Sequence, residues 1–260
     1  MDKRSILIVG ASSGIGYETA KKLISLGHTV YNCSRSNCDL EGVININLDV
    51  TNHDSLNKGL SQVLPDVLIY CAGVSIAAPV EKTTEKDFHY LFEVNFFGFV
   101  KTVQHIIPAM RNKETGKIII VSSLVSKFPV AFLPFYNASK GAVNLFVKSL
   151  DIELSPYNIS VTAMLPGGTA TDFTKKRIVY PPEFIAPYQE RMLNAVTAQA
   201  KYEQNGLSPE TVAESIVSVV KSKKPPLTKV VGIVNKVQTL AEKIAPETLT
   251  AKIYKKKYNQ

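Results

Sequence analysis

Ser5-Ile-Leu-Ile-Val9-Gly10-Ala-Ser-Ser-Gly14-Ile-Gly16 is the stretch that decides the fold. Its first five residues form a continuous apolar run with β-branched side chains, bounded by glycine, as in a strand buried on both faces of a parallel sheet. Over residues 14–26 the apolar spacing becomes helical, with Ile15, Thr19, Leu23 and Leu26 on one side and Gly27 closing the helix. Strand-like runs recur at 28–33, 43–48, 67–70, 117–121 and 159–165, and helical stretches near 52–63, 84–111, 136–155 and 209–221 separate most of them. Alternating strands and helices force parallel pairing, because each helix carries the chain back across the sheet. The fold class expected is therefore α/β, a single-domain, doubly wound Rossmann fold with a mainly parallel sheet and helices on both faces. Ligands of such sheets sit beyond the carboxyl ends of the strands.

The segment Gly10-Ala-Ser12-Ser13-Gly14-Ile15-Gly16 joins the first strand to the first helix, where a dinucleotide pyrophosphate binds in folds of this kind. Gly10 permits the tight turn, and Gly14 and Gly16 let backbone N–H groups and the helix N-terminus approach phosphate. The spacing G-x-x-x-G-x-G differs from the common G-x-G-x-x-G, and the same loop also suits a purely structural turn. The second strand leads into Ser34-Arg35-Ser36. NAD sites normally place an acid here for the ribose hydroxyls, whereas an arginine receives the 2′-phosphate of NADP. Ser34 repels no phosphate and Arg35 can hold one through two parallel N–H bonds, so NADP(H) is the expected cofactor, with NAD(H) the alternative. A solvated surface arginine gives the same sequence.

Tyr136-Asn-Ala-Ser-Lys140 opens the helical run over 136–155. Positions i and i+4 share a helix face, which places the Lys140 ammonium beside the Tyr136 phenol. A fixed cation favours the phenolate, so the phenol is expected below its ordinary pKa of about 10. Tyr136 then serves as the acid for carbonyl reduction and the base for alcohol oxidation. Thirteen residues earlier lies Ser123, at the end of the run 117–121, with a hydroxyl able to bond a carbonyl oxygen.

This set resembles the short-chain dehydrogenase/reductase family, over residues 5–231. Val121-Ser-Ser-Leu and Phe135-Tyr-Asn-Ala-Ser-Lys140-Gly-Ala are similar to its catalytic segment, and Gly10 to Gly16 to its glycine motif, with Val9 where threonine is usual. The resemblance implies that Asp49-Val50 meets the adenine, that Asn95 in Glu93-Val-Asn-Phe-Phe-Gly98 holds a proton-relay water, and that Pro166-Gly167-Gly-Thr169-Ala-Thr171 orients the nicotinamide carboxamide. It assigns Tyr136 as acid/base, Lys140 as its tuner and a ribose ligand, and Ser123 as the substrate-positioning residue. It also implies subunit pairing through the helices near 84–111 and 136–155, in a homodimer or homotetramer. One departure stands out: the family's Asn-Asn-Ala-Gly is here Tyr70-Cys71-Ala72-Gly73. Ala72 and Gly73 still let backbone approach the cofactor, but the asparagine hydrogen bonds are lost.

Between Ser123 and Tyr136 lie Leu124, Val125, Phe128, Val130, Phe132, Leu133 and Phe135; with Phe173 and the loop 178–190 they suit an apolar pocket for a steroid, retinoid or fatty-chain ketone, and they suit core packing equally. The stretch 167–206 reads as one irregular substrate loop or lid. The expected activity is hydride transfer between a nicotinamide and a carbonyl or secondary alcohol. The rival is a non-catalytic NADP(H)- or lipid-sensing protein of the same fold, which need not keep Asn95, Ser123, Tyr136 and Lys140 together. A sugar-nucleotide epimerase needs a larger substrate domain than the 95 residues that follow Leu165.

The net charge of +8 is uneven: residues 221–260 hold ten Lys and two acids, while the first 220 residues hold 20 basic and 20 acidic groups. The body has no nucleic-acid-like surplus. In the tail, 232–260, Val237, Leu240, Ala241 and Ile244 fall at helical spacing with Lys236 and Lys243 off that stripe, which suits a helix on an anionic membrane surface and equally a helix packed on the domain. Three cysteines, Cys33, Cys38 and Cys71, have no zinc or C-x-x-C spacing, so no metal is expected and reduced thiols are. The run at 5–9 is too short for a signal peptide's apolar core and no stretch approaches 18 apolar residues, so a cytoplasmic protein is expected, peripheral to a membrane if the tail binds one.

Overall fold

The computed structural model describes residues 2–258. The chain runs β1 (Ser5–Val9), α1 (Gly14–Ser25), β2 (Thr29–Ser34), β3 (Val43–Asn47), α2 (His53–Leu60), β4 (Val67–Tyr70), β5 (Ile76–Ala77), α3 (Glu85–Phe92), α4 (Gly98–Asn112), β6 (Gly116–Val121), α5 (Pro134–Leu154), β7 (Ile159–Leu165), β8 (Ile178–Val179), α6 (Pro182–Ile185), α7 (Gln189–Gln204), α8 (Pro209–Lys221), β9 (Thr228–Val230), α9 (Ile233–Ile244) and α10 (Glu247–Tyr258). Seven strands form one sheet in the order β3-β2-β1-β4-β6-β7-β9, every pair parallel, and β5 and β8 make a separate parallel ribbon. The order reverses at β1 and β4, which opens a crevice at their carboxyl ends.

The continuous apolar strands feed two cores, as period-2 geometry requires. Leu7, Val9, Leu68, Tyr70, Ile118 and Ile120 face one layer with Phe99, Val103, Val143 and Val147. Ile6, Ile8, Ile69 and Ile119 face the other with Ala20, Leu23, Val212, Ile216 and Val220. Helix starts follow local chemistry: Ser208 caps α8, accepting from Thr211 N at 3.2 Å, and Pro209 and Pro134 occupy first turns where no N–H partner is needed.

Four differences from the sequence reading have physical causes. The single helix expected near 84–111 is α3 and α4 joined by a π-helical turn, Glu93–Phe97, which carries Asn95. Leu26, expected on the buried side of α1, sits past its end and is exposed. The stretch 167–206 is not irregular throughout, since it contains the 16-residue α7. That helix is built from Gln, Glu, Arg, Ala and Lys, which have high helix propensity but leave little apolar stripe to read. Finally, β9 is a three-residue edge strand after Pro225-Pro226, too short for periodicity to reveal. Of the tail 232–260, Asn259 and Gln260 lie outside the described residues, as does the side chain of Lys257 and, at the other end, Met1.

Candidate active site

A cleft of about 630 Å³ runs along the carboxyl ends of the strands from the glycine loop to α5. At one end the loop is pinned by its neighbours: Ala11 N donates to Asn32 Oδ1 at 3.0 Å and Gly10 N to the Cys33 carbonyl at 2.9 Å. Gly10 has φ of +93° and its missing Cβ would lie 2.9 Å from Ala72 N. Gly16 is tighter still, because a Cβ there would stand 2.0 Å from the Gly10 carbonyl oxygen. Ser12, Ser13, Gly14 and Ile15 line the cleft beside them, and the Thr171 side chain closes over Gly14.

Further along, Ser34 donates to Asn32 Oδ1 at 3.0 Å, while the Arg35 side chain is exposed at the cleft rim and makes no ion pair among the described residues. Asp49 and Val50 line the same end, and Asp49 Oδ1 already accepts from Thr51 N and Oγ1 at 2.9 and 2.8 Å. Ala72 N bonds the Val9 carbonyl at 3.0 Å. At Gly73, Asn95, Lys140 and Phe173 converge: a Cβ there would meet Asn95 Oδ1 at 3.4 Å and Lys140 Nζ at 3.6 Å. These donors and open backbone surfaces fit a nicotinamide dinucleotide, with amides at the α1 N-terminus, a cation after β2 and small residues at β4.

Tyr136 stands in the first turn of α5, buried, and the Ser123 hydroxyl lies near enough to its phenol to favour the phenolate. Lys140, one turn on, is also buried, with Nζ 3.0 Å from the Val121 carbonyl and 5.8 Å from the centre of the Tyr136 ring. Asn95 is wholly buried; it accepts from Val74 N at 2.8 Å and donates to the Val74 carbonyl and to Ser139 Oγ, both at 3.0 Å. Pro166, Gly167, Thr169 and Thr171 form the wall opposite, anchored by Leu124 N on the Pro166 carbonyl at 3.0 Å. Thus the cofactor-binding and catalytic candidates singled out by sequence line one cleft, except Asn95, which is buried behind Gly73 at its wall; Ser123, Tyr136 and Lys140 stand together at one end.

A short chain dehydrogenase model matches residues 4–179. The chain is 34% identical to the 3-ketodihydrosphingosine reductase of Bacteroides thetaiotaomicron over 89% of each chain. It is 31% identical to bovine retinol dehydrogenase 8, over 86% of this chain and 80% of that one. A short-chain dehydrogenase from Streptomyces avermitilis superposes with a TM-score of 0.83 at 27% identity, over 97% and 96% of the two chains. This protein belongs to the short-chain dehydrogenase family. Such enzymes are oxidoreductases that bind a nicotinamide dinucleotide.

The electrostatics of this short-chain dehydrogenase depart from the sequence expectation. Burial raises the Tyr136 phenol above its ordinary pKa, and the Glu203 carboxylate adds to the rise; the Ser123 hydroxyl and Arg177 offset part of it. The expected lowering by Lys140 is not what dominates, because taking a phenolate out of water costs more than a cation 5.8 Å from the ring returns. Lys140 itself is pulled down to about 8 by burial, against the opposing pull of Cys71. Its ammonium is therefore present below about pH 8, beside the Tyr136 ring. Carbonyl reduction is expected to fall as pH rises through about 8, and kcat/KM from pH 6 to 10 checks it; a flat profile contradicts it. Stability runs the other way, since between about 8 and 10.5 the unfolded chain binds a proton that the folded chain does not, so this group's contribution rises with pH there.

Sequence reasoning missed a second cluster. Arg177 Nη2 lies 2.5 Å from Glu203 Oε1, both residues nearly buried, with Thr174 Oγ1 on Glu203 Oε2 at 2.6 Å and Arg177 Nε on Ser75 Oγ at 3.3 Å. Gln199, Tyr202 and Glu203 of α7 line the cleft, which makes its far wall polar. Of the expected pocket residues, Leu124, Val125, Phe128, Val130 and Phe173 line it. Phe132, Leu133 and Phe135 belong instead to a satellite core: Leu133 is buried, Phe135 stacks on Phe88 and Phe132 meets Tyr188 edge-on. Tyr70 answers the lost asparagines. Its hydroxyl donates to the Val94 carbonyl at 2.6 Å, tying β4 to the turn that presents Asn95. Burial pushes the Cys71 thiol up to about 12, which disfavours its thiolate, against the opposing pull of Lys140.

Proposed function

We propose that this enzyme is an NADP(H)-dependent reductase of bulky apolar ketones, a fatty-chain ketone first and a retinoid or steroid carbonyl next. The observation that carries the reading is the Ser123–Tyr136–Lys140 cluster, its tyrosine and lysine buried, at the end of a cleft headed by a glycine loop. When bound, the reduced cofactor supplies the hydride. Ser123 orients the carbonyl oxygen, Tyr136 donates the proton to it, and Lys140 stabilises the phenolate left behind. A phenol raised in pKa stays protonated at neutral pH, the form that reduction needs. Asn95 is assigned the support of the relay that reprotonates it.

Arg35 supports the NADP(H) preference, as a guanidinium exposed at the rim with no acid at Ser34. The names of the two curated relatives, a ketodihydrosphingosine reductase and a retinol dehydrogenase, support an apolar substrate, as do Leu124, Phe128 and Phe173 in the cleft. Exposed Leu145 and Ile152 on α5 support subunit pairing through that helix. The free cysteines fit a reducing, cytoplasmic setting, and the basic tail is assigned a peripheral membrane contact.

The test is a panel of ketones and aldehydes, short polar to long apolar, with NADPH and NADH, following loss of reduced-cofactor absorbance. Preference for long apolar ketones with NADPH is expected; equal turnover of small polar and large apolar ketones contradicts the substrate class. Arg35→Ser is expected to raise KM for NADPH about 10–100-fold, from the loss of charge-assisted bonds of about 1.5–3 kcal/mol, with KM for NADH little changed. Equal effects on both cofactors would remove Arg35 from 2′-phosphate recognition.

A further inference from the structure

The helix α9 is packed inside out. Ile233, Val237, Leu240 and Ile244 fall at i, i+4, i+7 and i+11 on one face, and that face points to solvent: Val237, Leu240 and Ile244 are 64%, 60% and 76% exposed. The opposite, polar stripe faces the domain, with Asn235 and Thr239 at 9% and 7%. Asn235 Nδ2 donates to the Val231 carbonyl at 2.7 Å and Thr239 Oγ1 to the Asn235 carbonyl at 2.8 Å, so the buried polar groups are satisfied. A helix that turns its apolar side outward gains nothing from the domain for that side, and the ridge calls for a partner of its own. In α10, Leu249 and Ile253 add to the exposed apolar surface.

Charge identifies the partner. Lys236 and Lys243 border the ridge, and the last 40 residues carry all of the net +8. A second copy would bring two such tails together and repel. An anionic lipid surface takes both features, as the headgroups neutralise the lysines and the acyl boundary accepts the ridge. No helix among the described residues is long and apolar enough to cross a membrane, so the contact is in the plane of the interface.

The inner side of the same tail belongs to the cleft. Gln238, Tyr254 and Tyr258 line it, and Tyr254 packs on the main core. Asn235 crowds Gly167, where a Cβ would stand 2.6 Å from its Nδ2. We propose that α9 and α10 form an interfacial lid, whose outer ridge rests in an anionic bilayer surface while its inner face walls the cleft, so that apolar substrate enters from the lipid. The entry step rests on the reductase reading above; the docking does not.

The chain contains no tryptophan, so Ile244→Trp gives a single reporter at an exposed site. With vesicles of phosphatidylcholine and 30% phosphatidylserine (a common test composition, roughly that charge needed for a polybasic contact), its emission is expected to shift blue and to be quenched by brominated acyl chains. Pure phosphatidylcholine is expected to do much less, and Leu64→Trp, on the body, to do nothing. In the otherwise native chain, Leu240→Glu with Ile244→Glu is expected to lower vesicle co-sedimentation at least ~10-fold. The same pair is expected to cut turnover of a long-chain ketone embedded in the vesicles while sparing a short soluble ketone. An unshifted emission from the Ile244→Trp variant overturns the docking, as does a shift that appears without lipid and grows with protein concentration, which would make a second copy the occupant. Docking with undiminished turnover of the embedded ketone by the Glu pair overturns lipid entry. Docking with no turnover of any ketone by the native chain overturns the reductase reading and, with it, lipid entry, and leaves the docking standing.

Discussion

Tyr136→Phe is expected to lower kcat for ketone reduction by at least ~10²–10⁴-fold, the range general acid catalysis supplies. The substitution removes one oxygen and leaves the ring, which packs 5.9 Å from Phe173 and lies in the satellite core with Leu91, Leu133 and Met192. Fold and cofactor affinity are therefore expected to hold, and the loss to fall on kcat. The effect is large because nothing else nearby can replace the donor: Ser123 is an alcohol, and Lys140, at about 8, is spent on the Val121 carbonyl and on charge stabilisation. Steady-state kinetics beside cofactor titration by fluorescence checks this. Near-native kcat with unchanged cofactor binding would move the acid elsewhere.

Arg177→Met is expected to destabilise the protein by about 3–5 kcal/mol, the cost of leaving one partner of a buried pair alone. The Glu203 carboxylate would keep Thr174 and Gln199 but lose the cation 2.5 Å away, in a nearly closed site. The pair also joins the segment after Thr171 to the end of α7, and through Ser75 to the start of β5, so its loss loosens the far wall of the cleft. Adding Glu203→Gln to Arg177→Met removes the stranded charge and is expected to recover a substantial part of the loss. Urea unfolding of the single and double variants measures both. A single variant within about 1 kcal/mol of native, or a double variant worse than the single, would show that the pair does not close this wall.

The parts of the site that are legible in the sequence are those set by local rules. The apolar run of β1 and the glycines after it fix a strand, a turn and a helix from neighbours alone, and Tyr136 and Lys140 share a face because helical spacing makes them. What stays hidden depends on distant chain. Arg177 and Glu203 are 26 residues apart and meet only when α7 folds back, and α7 itself is polar enough to pass for a loop. The sign of the Tyr136 shift turns on burial, which no i, i+4 argument contains. Phe132 and Phe135 look like pocket residues beside the catalytic segment, yet α3 and Tyr188 claim them. The α9 stripe is plainly amphipathic in the sequence, but periodicity carries no direction; the burial of Asn235 and Thr239, with Asn235 against Gly167, shows which side faces in.

One measurement reaches the centre of the account: single-turnover reduction of a long-chain ketone with NADPH deuterated at both C4 positions, the alcohol analysed by mass spectrometry. The native enzyme is expected to leave one deuterium on the former carbonyl carbon, and Tyr136→Phe to give no alcohol on the same timescale. Alcohol without the label, or equal labelled alcohol from the phenylalanine variant, would contradict it.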